Sequence, residues 1–133
     1  MVCKMLFFDY SDNEKSFFKK NKADNYDIKF FNFSLNEKTL NKLNIEDIEL
    51  ANSINISNNS KINNNILKNF KNLRVIATRS KNVDHIDLKS CINRNIAVVN
   101  VEDYKENAPL YNLNISIKGI TNTLCGCKEY RIV

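Results

Sequence analysis

Short apolar runs that alternate with helical stretches constrain the fold of this chain more than any other feature. Met5–Phe8, Ile54–Ile56, Leu73–Ala77 and Ile96–Val99 are almost continuously apolar, and Tyr26–Phe33 (YDIKFFNF) alternates apolar and polar residues for part of its length. Runs of this length are strands, and strands apolar on both sides must be covered on both sides. The segments between them read as helices. Glu14–Lys22 points Phe17 and Phe18 inward, and Ser34 caps a brief helix through Lys42 with Leu35 and Leu40 inside. Ser60 caps a helix whose Ile62, Ile66, Leu67 and Phe70 share one face, and a last helix runs from about His85 to Asn93.

Strand–helix alternation of this kind predicts an α/β domain: a doubly wound, flavodoxin-like parallel sheet with helices on both faces. Ligands of such sheets bind beyond the carboxyl ends of the strands, in the βα loops. Composition narrows the chemistry. The 133 residues include only two glycines, Gly119 and Gly126, so no G-x-G-x-x-G or Walker loop can be written. The single histidine, His85, excludes a His-based metal cluster. The net charge of +5 is spread thinly over a chain rich in Asn and Lys, and Lys19, Lys20 and Lys22 form its one cluster. Nucleic-acid binding needs basic residues gathered on one surface and is not expected. No apolar run approaches a membrane span and MVCKMLFF is too short for a secretory signal, so a cytoplasmic protein is expected.

One loop carries concentrated local chemistry: Ala77–Cys91, ATRSKNVDHIDLKSC. Asp84 suits an N-cap, Asp87 the reciprocal capping-box position, and Val83 and Leu88 a hydrophobic staple. Ser80–Asn82 then lie at the exit of a buried strand, where backbone N–H groups can receive a small anion such as a carboxylate. On spacing alone, an ordinary well-capped βα loop is the favoured reading, since such loops are common. His85, next to Asp84, reads as a helix-start residue without a catalytic partner. Asp9 could suggest a phosphoacceptor domain of similar fold, but the third strand ends Ile56-Ser57-Asn58 without the carboxylate such a domain needs.

The run KNLRVIATRSKNVDHIDLKSCINRNIAVVNVEDY, Lys71 to Tyr104, resembles the substrate-binding domain of D-isomer-specific 2-hydroxyacid dehydrogenases, closest to the D-lactate dehydrogenase branch. KMLFFDYSDNEKSFF and ANSINISNNSKINNNILKNF match the same family in order and spacing. The resemblance implies a substrate-binding domain over residues 1–108 and a divergent tail over 109–133, a remnant of the start of a nucleotide-binding domain. It implies that the Ser80, Lys81 and Asn82 loop holds the substrate carboxylate through the amides of Lys81 and Asn82, and that Tyr104 lines the pocket. The family reduces 2-keto acids with NADH. Its carboxylate-clamping arginine and its histidine–glutamate pair belong to the second domain. NAD is therefore the family's cofactor but is not expected to bind this chain alone, which reads as a truncated dehydrogenase without catalytic residues of its own. The implied partners are a small 2-keto or 2-hydroxy acid and a second copy or a full-length relative. The alternative is a non-catalytic protein-interaction module of the same fold.

The chain departs from the family pattern in several places. Asn82 and Asn95 stand where the family has glycine, and Asn is the next residue to tolerate a left-handed backbone. Pro109 follows Ala108 where the family runs into a long interdomain helix, so a helix should end or restart there. Loss of that helix would leave an apolar face uncovered and favour self-association. Lys128 and Arg131 replace the later glycines of a fingerprint begun by Gly126. Cys3 and Cys91 are expected as buried free thiols, with Cys125 and Cys127 as a pair in the tail.

Overall fold

The protein is described here by a computed structural model covering residues 3–20 and 26–124. Lys22, Cys125, Gly126, Cys127, Lys128 and Arg131, on which several expectations fall, lie outside the described residues. Five strands form: β1 (Cys3–Phe8), β2 (Tyr26–Phe31), β3 (Ser53–Ile56), β4 (Val75–Thr78) and β5 (Ala97–Val99). They make one sheet in the order β2-β1-β3-β4-β5, with every neighbouring pair parallel, as the continuous apolar runs require. The order reverses between β1 and β3, so their carboxyl ends open the crevice in which such sheets hold ligands.

Alternate residues of each strand feed two cores. Leu6, Phe8, Ile54, Ile56 and Ile76 face one layer, with Ile66, Leu67 and Cys91 from its helices. Cys3, Met5, Phe7, Val75 and Ala77 face the other, with Phe18, Leu113, Ile117 and Ile120. The first layer holds α2 (Ile45–Leu50), α3 (Asn64–Leu67) and α4 (Leu88–Asn93); the second holds α1 (Asp12–Lys20) and α5 (Pro109–Thr123). Phe17 and Phe18 both turn inward as expected, Phe18 into the core and Phe17 against it.

The helix starts differ from the sequence reading. Asn63, not Ser60, caps α3 by accepting from Ile66 N at 3.1 Å, and α3 is a single turn. Ser60 is buried and instead accepts from Leu35 N at 2.9 Å, tying two loops together. Ser34 caps no helix: its carbonyl accepts from Thr39 Oγ1 at 2.7 Å, and the segment that follows contains only a 3-10 turn at Leu40–Lys42. α2 was not foreseen; Asn44 caps it, but Ile45 and Leu50 face solvent and obscure its periodicity. Asn95 does adopt the left-handed backbone, with φ of 57°, directly after α4. Cys91 is a buried free thiol, pushed by burial up to about 11 and so unreactive. Cys3 is a correction: it is disulfide-bonded rather than free.

The larger correction concerns the apolar face expected to be open, because the chain restarts as a helix at Pro109. Proline is well placed at the first helical position, where its missing N–H is no loss. Pro109 occupies that position in α5, a 15-residue helix that lies along β4 and β5. Leu113, Ile117, Ile120 and Leu124 are fully buried beneath it. The apolar face expected to be open is therefore covered.

At the carboxyl edge of the sheet, Arg79 is buried and joins both halves of the second layer. Its Nε lies 2.9 Å from Glu14 Oε2, and its Nη1 donates to Asn55 Oδ1 at 2.8 Å. Its Nη2 donates to the carbonyls of Phe8 and Asp9 at 2.9 and 3.0 Å, while the guanidinium lies over the Phe7 ring at 4.3 Å. Glu14 is set for this by a capping box with Ser11: Ser11 N donates to Glu14 Oε1, and Glu14 N to Ser11 Oγ. Asn55 Nδ2 donates onward to Ser116 Oγ of α5 at 3.1 Å. Asp9 sits beside this cluster with φ of 56°, accepting from Ser57 Oγ and Asn59 Nδ2. Burial raises its carboxyl, but those donors and the charge of Arg79 outweigh this and hold it below the usual carboxylate range.

Two substitutions test these contacts. Ile117→Ala should lower the unfolding free energy by about 2–5 kcal/mol in urea titrations; a loss below about 0.5 kcal/mol would show that α5 does not cover the sheet. Arg79→Met strands the Glu14 carboxylate and should cost about 3–5 kcal/mol. Adding Glu14→Leu should recover a large part of that loss, and additive losses would contradict the pairing.

Candidate functional site

β4 leaves the sheet at Thr78, between β3 and β5, and the chain turns through Arg79–Asp87 before α4 begins. Asp87 caps α4, its side chain accepting from Ser90 N at 3.1 Å and Ser90 Oγ at 2.8 Å. The cap expected at Asp84 thus lies one turn further on, and His85 belongs to the loop. A parallel bridge between Ile62 and Ile86 pins the loop to the segment before α3, through Ile62 N to His85 O at 2.9 Å and Asp87 N to Ile62 O at 2.8 Å.

The carbonyls of the three expected anion-binding residues are all engaged. Val101 N donates to Ser80 O at 2.9 Å, Asn100 Nδ2 to Lys81 O at 2.7 Å, and Ser80 Oγ to Asn82 O at 2.9 Å. In a trans peptide the following N–H points opposite to its carbonyl. The Ser80 and Lys81 carbonyls both face the segment leaving β5, so the N–H groups of Lys81 and Asn82 face away from it together. Successive N–H groups on one side form an anion-binding concavity. Among the described residues these two amides and that of Val83 have no hydrogen-bond acceptor. Lys81 and Asn82 are exposed, whereas Ser80 is buried and serves the loop rather than its mouth. Asn82 reaches this shape without a positive φ, so the glycine it replaces is not needed for backbone freedom here.

Tyr104 lies three residues beyond the Val101–Ser80 bond and is 45% exposed. Asn112 of α5 steadies its neighbour, accepting from Lys105 N at 3.0 Å and donating to Lys105 O at 2.9 Å. Asn100, Glu102 and Asp103 line an open groove of about 470 Å³ between β5 and α5. The structure therefore brings Ser80, Lys81 and Asn82 together with the segment that carries Tyr104, though it gives no contact between Tyr104 and the loop.

Three residues of the site escaped the sequence reading. Thr78 Oγ1 lies 2.6 Å from Ser80 Oγ and 2.9 Å from His85 Nε2, so His85 is part of the loop's interior bonding rather than a surface helix start. Arg79, between Thr78 and Ser80, is the buried cation described above. The alternation of a strand end offered the signal: Arg79 points to one layer while Thr78 and Ser80 point to the other.

No group of three metal-ligating side chains occurs among the described residues, and no described helix is long and apolar enough to cross a membrane. Gly119 lies within α5, where an added Cβ would meet Val99 at 3.1 Å.

Comparison with known proteins bears on this geometry. The D-isomer specific 2-hydroxyacid dehydrogenase family, catalytic domain, matches residues 5–109. The fold is similar to that of the apo D-lactate dehydrogenase of Escherichia coli, with a TM-score of 0.64 and 20% identity over 97% of this chain and 42% of that one. It is also similar to the D-lactate dehydrogenase of Aquifex aeolicus complexed with NAD and lactic acid, with a TM-score of 0.67 and 21% identity over 97% of this chain and 40% of that one. The structure reported for the pyruvate reductase of Chlamydomonas reinhardtii gives a TM-score of 0.63 and 17% identity, over 99% of this chain and 41% of that one. The chain thus spans about two fifths of the length of these enzymes. No curated protein sequence matches it significantly. On the family match over most of its length, the chain belongs to the D-isomer-specific 2-hydroxyacid dehydrogenases, and residues 5–109 correspond to their catalytic domain.

Proposed function

We propose that these residues are the acid-binding half of a 2-hydroxyacid dehydrogenase, and that the Lys81 and Asn82 amides receive the carboxylate of a small 2-keto or 2-hydroxy acid. The observation that carries this reading is the engagement of the Ser80, Lys81 and Asn82 carbonyls by Val101, Asn100 and Ser80, which turns the amides outward together. An anion held by preset backbone donors requires no side chain of opposite charge. Lys81, whose ammonium lies on the same exposed loop, adds long-range attraction for an acid. The family resemblance assigns Tyr104, exposed on the segment after β5, to the pocket wall. Lactic acid is bound by the Aquifex relative, and this supports the substrate class.

In an intact dehydrogenase the hydride comes from NAD, which the family resemblance places on a second, nucleotide-binding domain, whereas the residues matched here are the catalytic domain. We therefore assign these residues substrate binding and no hydride transfer of their own. With α5 over the sheet, the argument for pairing with a second copy or a full-length relative through an open apolar face loses its basis.

Titration of the isotope-labelled 133-residue protein with pyruvate tests the assignment. Amide resonances of Lys81 and Asn82 should move with saturation, and methyl pyruvate, which has no carboxylate, should leave them in place. Equal response to both compounds, or none to pyruvate, would contradict carboxylate binding. The same protein should leave NADH absorbance unchanged in the presence of pyruvate; sustained NADH oxidation would contradict the assignment of a binding half.

A further inference from the structure

Three polar contacts inside the loop form a chain: His85 Nε2 to Thr78 Oγ1 at 2.9 Å, Thr78 Oγ1 to Ser80 Oγ at 2.6 Å, and Ser80 Oγ to Asn82 O at 2.9 Å. Each contact needs one hydrogen, and each hydroxyl carries one. The carbonyl of Asn82 can only accept, so Ser80 donates to it. Thr78 must then donate to Ser80, which leaves His85 to donate to Thr78 through Nε2–H. The chain therefore runs one way, and the tautomer follows from counting hydrogens. Nδ1 carries the lone pair; it is buried and without a partner among the described residues.

We propose that neutral His85 is the positioning residue of the anion loop, holding the Asn82 carbonyl through Thr78 and Ser80 and thereby aiming the Val83 amide toward the acid. This rests on the carboxylate reading above and adds a third donor to it. His85 touches no ligand; it acts through two hydroxyls.

Protonation would place a second donor and a charge at Nδ1, which has no acceptor among the described residues, so the charged ring would be driven toward solvent and the chain would lose its first donor. The charged groups on the surrounding segments are Arg79 at the exit of β4, Lys61 on the bridged segment before α3, and Lys81, Asp84 and Asp87 in or next to the loop. Burial lowers the pKa of His85 and Asp84 raises it, with burial dominant, so the imidazole titrates below its usual range. A folded-state pKa lowered in this way means that the arrangement is complete at higher pH and is lost as pH falls through that value.

Ring-nitrogen NMR of the full chain tests the tautomer directly: the neutral ring should carry its proton on Nε2, and an Nδ1–H tautomer would overturn the proposal. As pH is lowered from about 8 through the usual histidine range and below it, the Val83 amide should move with the His85 titration. Over the same range pyruvate should bind about three- to tenfold more weakly, the loss of one hydrogen bond. His85→Gln, which keeps a donor in the place of Nε2, should hold near wild-type affinity and show no such pH dependence, and His85→Ala should bind weakly throughout. A His85→Gln protein with the wild-type pH profile, or a Val83 amide indifferent to the titration, would refute the positioning role. If pyruvate fails to bind at any pH while the tautomer and the Val83 response hold, the carboxylate reading fails and the relay stands.

Discussion

A buried guanidinium sets the terms for the carboxyl edge of this sheet. An unpaired charge at that depth costs several kcal/mol, so Arg79 can be accommodated only if its partners arrive together. They come from every element of that corner: the Phe8 and Asp9 carbonyls at the end of β1, Asn55 of β3, Glu14 of α1 and, through Asn55, Ser116 of α5. Hydrophobic burial supplies most of the driving force for the sheet and its two layers, but it is non-directional. The Arg79 cluster is directional and fixes how the strand ends and the two long helices meet.

The consequence for the site follows from strand periodicity. Side chains alternate across a strand, so tying Arg79 down into the α1–α5 layer sends Thr78 and Ser80 to the opposite side. There they meet His85 and hold the Asn82 carbonyl. One short strand end thus anchors the domain on one side and shapes the proposed anion-binding loop on the other. The Val101 and Asn100 contacts complete the loop by engaging the two preceding carbonyls. The proposed binding groups are backbone amides, and Asn82 holds its place in the loop without a positive φ, so a glycine is not required there.

The sheet was legible because burial on both faces forces near-continuous apolar strands; four were placed from that pattern and β2 from its partial alternation. The position of the loop was legible for the same reason, since it follows the strand Leu73–Ala77. Its interior was not. Asp84 and Asp87 are both good caps, and only the Ile62–Ile86 bridge decides for Asp87, moving His85 from a helix into the loop. Ser60 lost the cap of α3 to Asn63 because its hydroxyl was needed by Leu35 N. An arginine carries no local mark of burial, so Arg79 could not be found without the elements that surround it. Pro109 can break a helix or begin one, and tertiary packing of Leu113, Ile117 and Ile120 chose the beginning.

The central claim is that the Arg79 cluster beneath the strand end arranges the acid-binding amides above it. The most direct measurement is the pyruvate dissociation constant of Arg79→Lys, which keeps the charge but cannot reach Glu14, Asn55 and two carbonyls at once. With folding verified by near-ultraviolet circular dichroism, the account predicts affinity at least about tenfold weaker than wild type, about 1.4 kcal/mol. A folded Arg79→Lys protein that binds pyruvate as tightly as wild type would contradict it.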